Sequence, residues 1–225
     1  MNENNLAGID EAGRGPVLGP LVIAGVVLSA RALEQLVILG LKDSKLLSAS
    51  KREQLHPVIL ETAIAYKVVT IPASEIDEQR AKGISLNVVE RECMINILSS
   101  LRNWSIAYVD ACDRKTGLWQ QQFQDLLQKK VVVEHFADIN YPVVSAASIL
   151  AKVARDEAIR SAQEEYGVDF GSGYPSDPKT CQFLKDYFEK NGKLPIIARK
   201  SWETSKKILC SSEQKKIADF FSPFD

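Results

Sequence analysis

Two apolar runs near the start of the chain, residues 5–10 and 20–29, constrain its fold more than any other feature. Both are rich in Val, Ile and Leu and read as strands. A glycine-rich loop joins them, which makes them an antiparallel neighbour pair. Further along, a short helix is expected over 32–39. Ser50 and Glu53 resemble a capping box that opens another helix, with Pro57 in its second turn. A third strand falls near 65–71. Leu86, Val89, Cys93, Ile97 and Leu101 recur at three- and four-residue spacing and predict an amphipathic helix, with Cys93 as a small core residue. Ser105–Val109 is a strand ending at Asp110. Leu118, Trp119, Phe123, Leu126 and Leu127 stripe a helix, and Val131–Phe136 is a strand ending just before Asp138. A long helix over about 143–165, a Gly-rich loop over 171–178 and a helix over about 179–190, capped by Gly192, complete the pattern. Strands cluster early and alternate with helices later. The expectation is an α/β fold, a mixed five-stranded sheet with helices packed on its faces.

The first strand runs into Asp10-Glu11-Ala12-Gly13-Arg14-Gly15-Pro16. Adjacent carboxylates at a strand end are costly unless positive charge lies beside them. A divalent metal is the usual solution, since hard cations take oxygen ligands. Gly13 and Gly15 lack a Cβ and let the backbone approach a ligand closely. The same residues also suit a solvated turn with two surface acids. Asp110 and Asp138 add acids at two further strand ends, and ligands gather at the carboxyl ends of strands in α/β sheets. Four carboxylates meeting at one edge would bind two divalent ions, an arrangement that clamps the attacking and leaving oxygens of a phosphoryl transfer. Aspartate is also a common turn former, so each acid taken alone has a structural explanation.

Charge and composition narrow the function classes. The formal net charge is −1, so the molecule is not a strongly basic nucleic-acid binder. Basic residues nevertheless cluster over 42–52 (Lys42, Lys45, Lys51, Arg52) and over 193–207 (Lys193, Arg199, Lys200, Lys206, Lys207). Such stretches neutralise phosphates locally, or are ordinary solvated faces. The cysteines at 93, 112, 181 and 210 show no CxxC spacing, which speaks against a zinc ribbon or a redox pair. Only two histidines, His56 and His135, are present, which weakens a histidine metal site or a Ser-His triad. The polar start, Met1–Asn5, lacks a signal-peptide pattern. The longest apolar stretch, Val17–Ala30, contains Pro20 and is too short to span a bilayer. A soluble, cytoplasmic protein without membrane attachment is expected.

Several longer segments, in register, are similar to a known family. They are Gly8–Pro16, Leu41-Lys42-Asp43-Ser44-Lys45, Tyr108-Val109-Asp110, Val144–Asp156 and Gly171-Ser172-Gly173-Tyr174-Pro175-Ser176-Asp177-Pro178. Together they resemble ribonuclease HII, the type 2 ribonuclease H, over residues 6 to about 207. Arg199-Lys200-Ser201-Trp202 looks closer to archaeal than to bacterial members. The resemblance implies a ribonuclease H-like fold with a helical C-terminal extension. It implies Mg²⁺- or Mn²⁺-dependent cleavage, with two divalent ions, of the RNA strand of RNA–DNA hybrids. It also implies incision 5′ to ribonucleotides embedded in duplex DNA. Carried over by motif, Asp10, Glu11, Asp110 and Asp138 would be the catalytic, metal-binding carboxylates. Gly13, Arg14 and Gly15 would contact the ribose 2′-hydroxyl and the scissile phosphate, and Tyr174 would stack on the next deoxyribose. Lys42, Ser44 and Lys45 would hold phosphates, as would Lys152 and Arg155. Ser145, Ser148 and Lys152 share one face of the long helix, where the serines equally suit close helix–sheet packing. Trp202 suits either a nucleic-acid role or an anchor for the C-terminal helix.

The end of the chain carries its own pattern. Gln214, Ile217, Phe220 and Phe221 fit Q-x-x-aliphatic-x-x-aromatic-aromatic, which resembles the peptide that docks on the sliding clamp, proliferating cell nuclear antigen. Ile217, Phe220 and Phe221 would share one face of a helical turn. A frayed amphipathic end folded on its own domain is the alternative. The expected organisation is a catalytic domain over 1–210 and a tail over 211–225, in a monomer. Two other readings compete: a module that binds hybrids or junctions without cutting, and a different hydrolase of the same fold, such as a junction resolvase. Four clustered acids speak against the first, and the Gly13–Gly15 and Tyr174 loops against the second.

Overall fold

A computed structural model describes residues 5–41, 47–113 and 115–211. They divide into two compact units. The first takes in the chain up to Arg14, then Leu21–Thr70 and Ser85–Glu157; the second takes in Gly15–Pro20, Ile71–Ile84 and the chain from Ala158.

The first unit is built on a five-stranded mixed sheet. Its strands are β1 (Leu6–Ala12), β2 (Leu21–Leu28), β3 (Ala65–Ile71), β4 (Ile106–Asp110) and β5 (Lys130–Glu134), in the order β3-β2-β1-β4-β5. β1 and β2 are antiparallel, pairing Leu6 with Leu28 through Ala12 with Val22, as the short glycine-rich connection requires. β1–β4 and β4–β5 are parallel. Each parallel pair brings two strand C-termini to the same sheet edge. All eight residues of β2 are buried, which accounts for its unbroken apolar run.

Helices cover both faces. α1 (Ala30–Ile38), α2 (Ala49–Thr62) and the start of α7 (Pro142–Tyr166) bury Leu33, Leu36, Leu55, Ile59, Ala146, Ile149 and Leu150 against Val22, Ala24, Val26 and Leu28. α4 (Leu86–Ser100) meets the sheet at Gly25, where Ile97 and Leu101 fill the space a Cβ would need. α5 (Thr116–Leu127) packs beside β5 through Trp119 and Phe123, while Leu118 and Leu126 face solvent. α7 lies very close to β1: a Cβ on Gly8 would sit 2.2 Å from the Val143 carbonyl oxygen. Small residues follow on this face of α7, with Ser145, Ala146, Ala147, Ser148 and Ala151 all buried.

Several local expectations are corrected. The cap of α2 is Ser48, whose hydroxyl accepts from Lys51 N–H; Ser50 already lies in the first turn. α2 continues through Pro57, which loses one backbone bond without ending the helix. Cys93 is only half-buried, and the core side of α4 is Val89, Glu90, Met94, Ile97 and Leu98.

The second unit holds α3 (Ala73–Ala81), the end of α7, α8 (Pro178–Asn191) and a helix over 203–211. α3 carries no helical signal in sequence, since only Ala73 and Ile76 are buried and no apolar stripe marks it. Gly192 caps α8 in the left-handed region, φ 65°, as its sequence position predicts. Phe170, Phe183, Leu184 and Ile159 centre the core, joined by Tyr166, Tyr187 and Trp202. Among the described residues no helix is long and apolar enough to cross a membrane.

Candidate functional site

The parallel register pairs Ile9 with Val109, so Asp110, at the end of β4, stands beside Asp10, which with Glu11 lies within β1 rather than at its end, because β1 stays paired to β2 as far as Ala12. β5 ends at Glu134. Phe136 then takes a left-handed conformation, φ 60°, that turns the chain into the one-turn helix α6 (Ala137–Asn140). Asp138 lies in that turn rather than at the strand end itself. Tyr141 stacks on Tyr108 with ring centroids 4.0 Å apart and holds this corner on β4. The outcome is that Asp10, Asp110 and Asp138 each bring a ligand oxygen within 4.8 Å of the other two. Asp10 and Asp138 are buried.

Hydrogen bonds fix two of these acids. Asp10 Oδ1 accepts Glu11 N–H at 2.7 Å, and Asp110 Oδ1 accepts Ala137 N–H at 2.9 Å. Ser148 hydrogen-bonds Asp10, and Lys152 Nζ donates to Ser148 Oγ at 2.6 Å. The helix face carrying Ser145, Ser148 and Lys152 therefore packs against β1 and also ties a cation to the acid. Burial pushes the Asp10 carboxyl up to about 7; the Lys152 charge opposes this and the Asp110 charge adds to it. Burial, then the charges of Asp10, Glu90 and Asp110, raises Glu11 well above the usual carboxylate range.

Glu11 belongs to a second group. Its carboxylate, the Glu90 carboxylate and the Cys112 sulfur bring ligand atoms within 4.8 Å of one another. Glu11 Oε2 is buried and has no hydrogen-bond partner among the described residues. Asp10, Glu11, Asp110 and Asp138 therefore offer a hard divalent cation carboxylate oxygens, one of them lacking a donor among the described residues, and burial holds Asp10 and Glu11 above the usual carboxylate range despite the nearby charges of Lys152 and Arg14.

Glu90 is fully buried on α4 and forms an ion pair with Arg14 Nη1, while Arg14 Nη2 donates to Asn87 Oδ1. Asn87 Nδ2 in turn donates to Asp113 Oδ2 at 2.7 Å, and Cys112 Sγ donates to Glu90 at 3.0 Å. Sequence reasoning missed Glu90 and Asn87. The signal was present: Glu90 lies four residues after Leu86 and three before Cys93, an acid on the stripe itself. Burial and the nearby acids hold Cys112 as a neutral thiol.

In the second unit, Gly15 lies under Tyr174, with the nearest ring carbon 3.5 Å from where a Cβ would stand. Val17 and Leu18 N–H both donate to the Gly173 carbonyl, at 2.8 and 3.1 Å. Trp202 Nε1 donates to the Gly15 carbonyl at 3.2 Å, and the Arg199 guanidinium sits over the Trp202 ring, 4.8 Å from its centroid. Asp77 accepts from Lys200 N, Ser201 N and Ser201 Oγ. Arg199-Lys200-Ser201-Trp202 thus braces the Gly15 strap. Tyr174 is partly exposed. Arg155 is buried beside Asp156. Lys42, Ser44 and Lys45, and the tail residues Gln214, Ile217, Phe220 and Phe221, lie outside the described residues.

Comparison with known proteins agrees with this geometry. The profile of the Ribonuclease HII family matches residues 7–205. Ribonuclease HII of Methanocella arvoryzae is 43% identical over 220 residues, covering 96% of this chain and 97% of the relative. The crystal structure of ribonuclease H2 from Pyrococcus horikoshii superposes with a TM-score of 0.87 at 41% identity, covering 93% of this chain and 99% of that one. A structure of the PCNA:RNase HII complex from Archaeoglobus fulgidus matches with a TM-score of 0.80 at 41% identity, over 88% of this chain and 95% of that one. The mixed sheet is therefore the ribonuclease H-like fold, and with the family profile matching residues 7–205 and relatives similar over nearly their full length, the chain belongs to the ribonuclease HII family.

Proposed function

We infer that this metal-dependent ribonuclease H cuts the RNA strand of RNA–DNA hybrids and incises 5′ to single ribonucleotides embedded in duplex DNA. The products are a 3′-hydroxyl and a 5′-phosphate. The observation that carries this reading is the convergence of Asp10, Asp110 and Asp138 at one sheet edge. Asp10, Glu11, Asp110 and Asp138 would hold two divalent ions, Mg²⁺ or Mn²⁺, which supply Lewis-acid stabilisation of the charge developing on the phosphate.

The chain's own groups do the rest. Lys152, through Ser148, balances the charge at Asp10. The Gly13-Arg14-Gly15 loop reads the ribose, whose 2′-hydroxyl both donates and accepts and so separates RNA from DNA at one position. Tyr174 stacks on the following deoxyribose, where an extra hydroxyl would be crowded, giving selection against RNA there. Lys42, Ser44, Lys45 and Ser145 add contacts to the substrate backbone. Gln214, Ile217, Phe220 and Phe221 dock on a sliding clamp; the complex of the Archaeoglobus fulgidus relative with PCNA supports this. The chain acts as a monomer, with residues 1–210 as its catalytic domain.

A gel assay tests the central reading. A duplex carrying one ribonucleotide should be cut once, on its 5′ side, in Mg²⁺ or Mn²⁺ and not in EDTA. An all-DNA duplex should remain intact. Tight binding without cleavage would leave a binding module instead.

A further inference from the structure

Arg14 is the only charged residue in the loop that reads the ribose, yet its side chain is directed into the protein. The side chain is 34% exposed, and its two terminal nitrogens are both engaged from α4: Nη1 by Glu90 and Nη2 by Asn87. Glu90 and Asn87 are three residues apart, so they stand on the same face of the helix and form a two-pronged receptor. The geometry suits a planar fork and not an ammonium, which cannot meet two acceptors along parallel directions.

Both prongs are themselves held. Asn87 donates to Asp113, which orients its oxygen toward Arg14. Backbone N–H of Lys115, and then the Asn87 amide, keep Asp113 below the usual carboxylate range. Glu90 has no exposure to solvent, and it accepts from Cys112 as well as from Arg14. A carboxylate buried this completely is expensive to maintain, and an apolar residue would serve the core of α4 better if packing were its purpose. Gly13, immediately before Arg14, takes φ 85°, a conformation other residues adopt with strain, so the chain reverses where the anchor holds it.

We propose that Glu90, assisted by Asn87, is a positioning residue for ribose recognition: it grips Arg14 so that the backbone groups of the Gly13–Arg14 turn are fixed before substrate arrives. This rests on the reading of the Gly13-Arg14-Gly15 loop given above. Arg14 is then an anchor, and recognition of the ribose is carried by the loop's main-chain N–H and C=O groups. Preorganisation of this kind appears in the rate of the chemical step more than in duplex affinity.

Steady-state cleavage of the single-ribonucleotide duplex by Glu90→Gln, Asn87→Ala, Arg14→Ala and the Arg14→Ala/Glu90→Gln double variant tests this. Glu90→Gln should lower kcat about tenfold or more, with KM within about twofold of wild type. Asn87→Ala should show the same pattern more weakly. The Mg²⁺ concentration for half-maximal rate should be unchanged in Asn87→Ala. The double variant should be no slower than Arg14→Ala, since the two side chains act as one unit. Asn87→Ala keeps the test open if Glu90→Gln does not fold. Wild-type kcat in Glu90→Gln and Asn87→Ala, beside a slow Arg14→Ala, would overturn the positioning role while leaving the loop as reader. Additive losses in the double variant would also overturn it. An Arg14→Ala enzyme with full rate and full selectivity for the ribonucleotide would overturn the anchor role too, whereas wild-type cleavage of an all-DNA duplex at a comparable rate would instead overturn the reading of the loop.

Discussion

At the scale of single residues, charge at the sheet edge decides the chemistry. An amide in place of Asp10 or Asp110 keeps the shape and loses the ligand charge, so Asp10→Asn and Asp110→Asn should each cut turnover by orders of magnitude. Near wild-type rates in Mg²⁺ would end the assignment. Asp10 also makes stability depend on pH. An aspartate in an unfolded chain titrates near about 3.9, and in the fold Asp10 is raised to about 7. The folded state holds this proton more tightly, so the stability it contributes is complete below about pH 4 and is lost as the pH rises through about 7. In EDTA, the melting temperature should therefore fall between pH 5 and pH 8. Mg²⁺ or Mn²⁺ should restore more of it at pH 8 than at pH 5.5, and Asp10→Asn should flatten both trends. Calorimetric melting curves with the same pH slope in wild type and Asp10→Asn would remove Asp10 as the cause. If the proposed stacking of Tyr174 orients the scissile phosphate, Tyr174→Ala should slow cleavage at a single ribonucleotide more than it weakens binding; an unchanged rate would sink that role.

At the scale of elements, the close approach of α7 to β1 is what brings Ser148 and Lys152 to Asp10. At Gly8 a Cβ would lie 2.2 Å from Val143 O, 2.4 Å from Val143 C and 2.7 Å from Val144 N, all backbone atoms that no rotamer change can move. Gly8→Ala should therefore destabilise the protein by about 2–4 kcal/mol in urea unfolding and also slow cleavage, since the helix must shift away from Asp10. A variant as stable as wild type would show that α7 is not held at this distance. The same elements show what is legible in sequence. β1, β2, β4, β5, α4, α7 and α8 carry strong periodicity or unbroken apolar runs, and Gly192 marks a helix end by its backbone requirement. α3 buries two residues and leaves no stripe, so tertiary packing forms it rather than local pattern. Asp10 and Asp110 are readable because each directly follows an apolar run that forms a strand. Asp138 reads in sequence as a strand-end acid because nothing local announces the left-handed Phe136 that turns the chain into α6. Glu90 was hidden because a stripe is read by its apolar members, and an acid among them passes as solvent-facing.

At the scale of the whole molecule, the question is whether cutting and recruitment are separable. The family match ends at residue 205, and every acid of the sheet edge lies before it. Gln214, Ile217, Phe220 and Phe221 come after it, so the clamp-binding pattern can be removed without touching the carboxylates. A peptide from Ser212 to Asp225 should bind a cognate sliding clamp with roughly micromolar affinity, as short segments that order on binding often do. Phe220 and Phe221 would fill an apolar pocket, with Ile217 beside them and Gln214 as the polar anchor; large aromatics at the centre of a small interface carry most of its energy. Phe220→Ala with Phe221→Ala should abolish the heat of binding in titration calorimetry and leave cleavage of a free ribonucleotide duplex within about twofold of wild type. Clamp added to the intact enzyme should raise activity on clamp-loaded DNA, and the double variant should not respond, because tethering acts through effective concentration rather than through the chemistry. No heat from the wild-type peptide, or a large loss of clamp-free activity in the double variant, would show that these phenylalanines serve the catalytic domain instead.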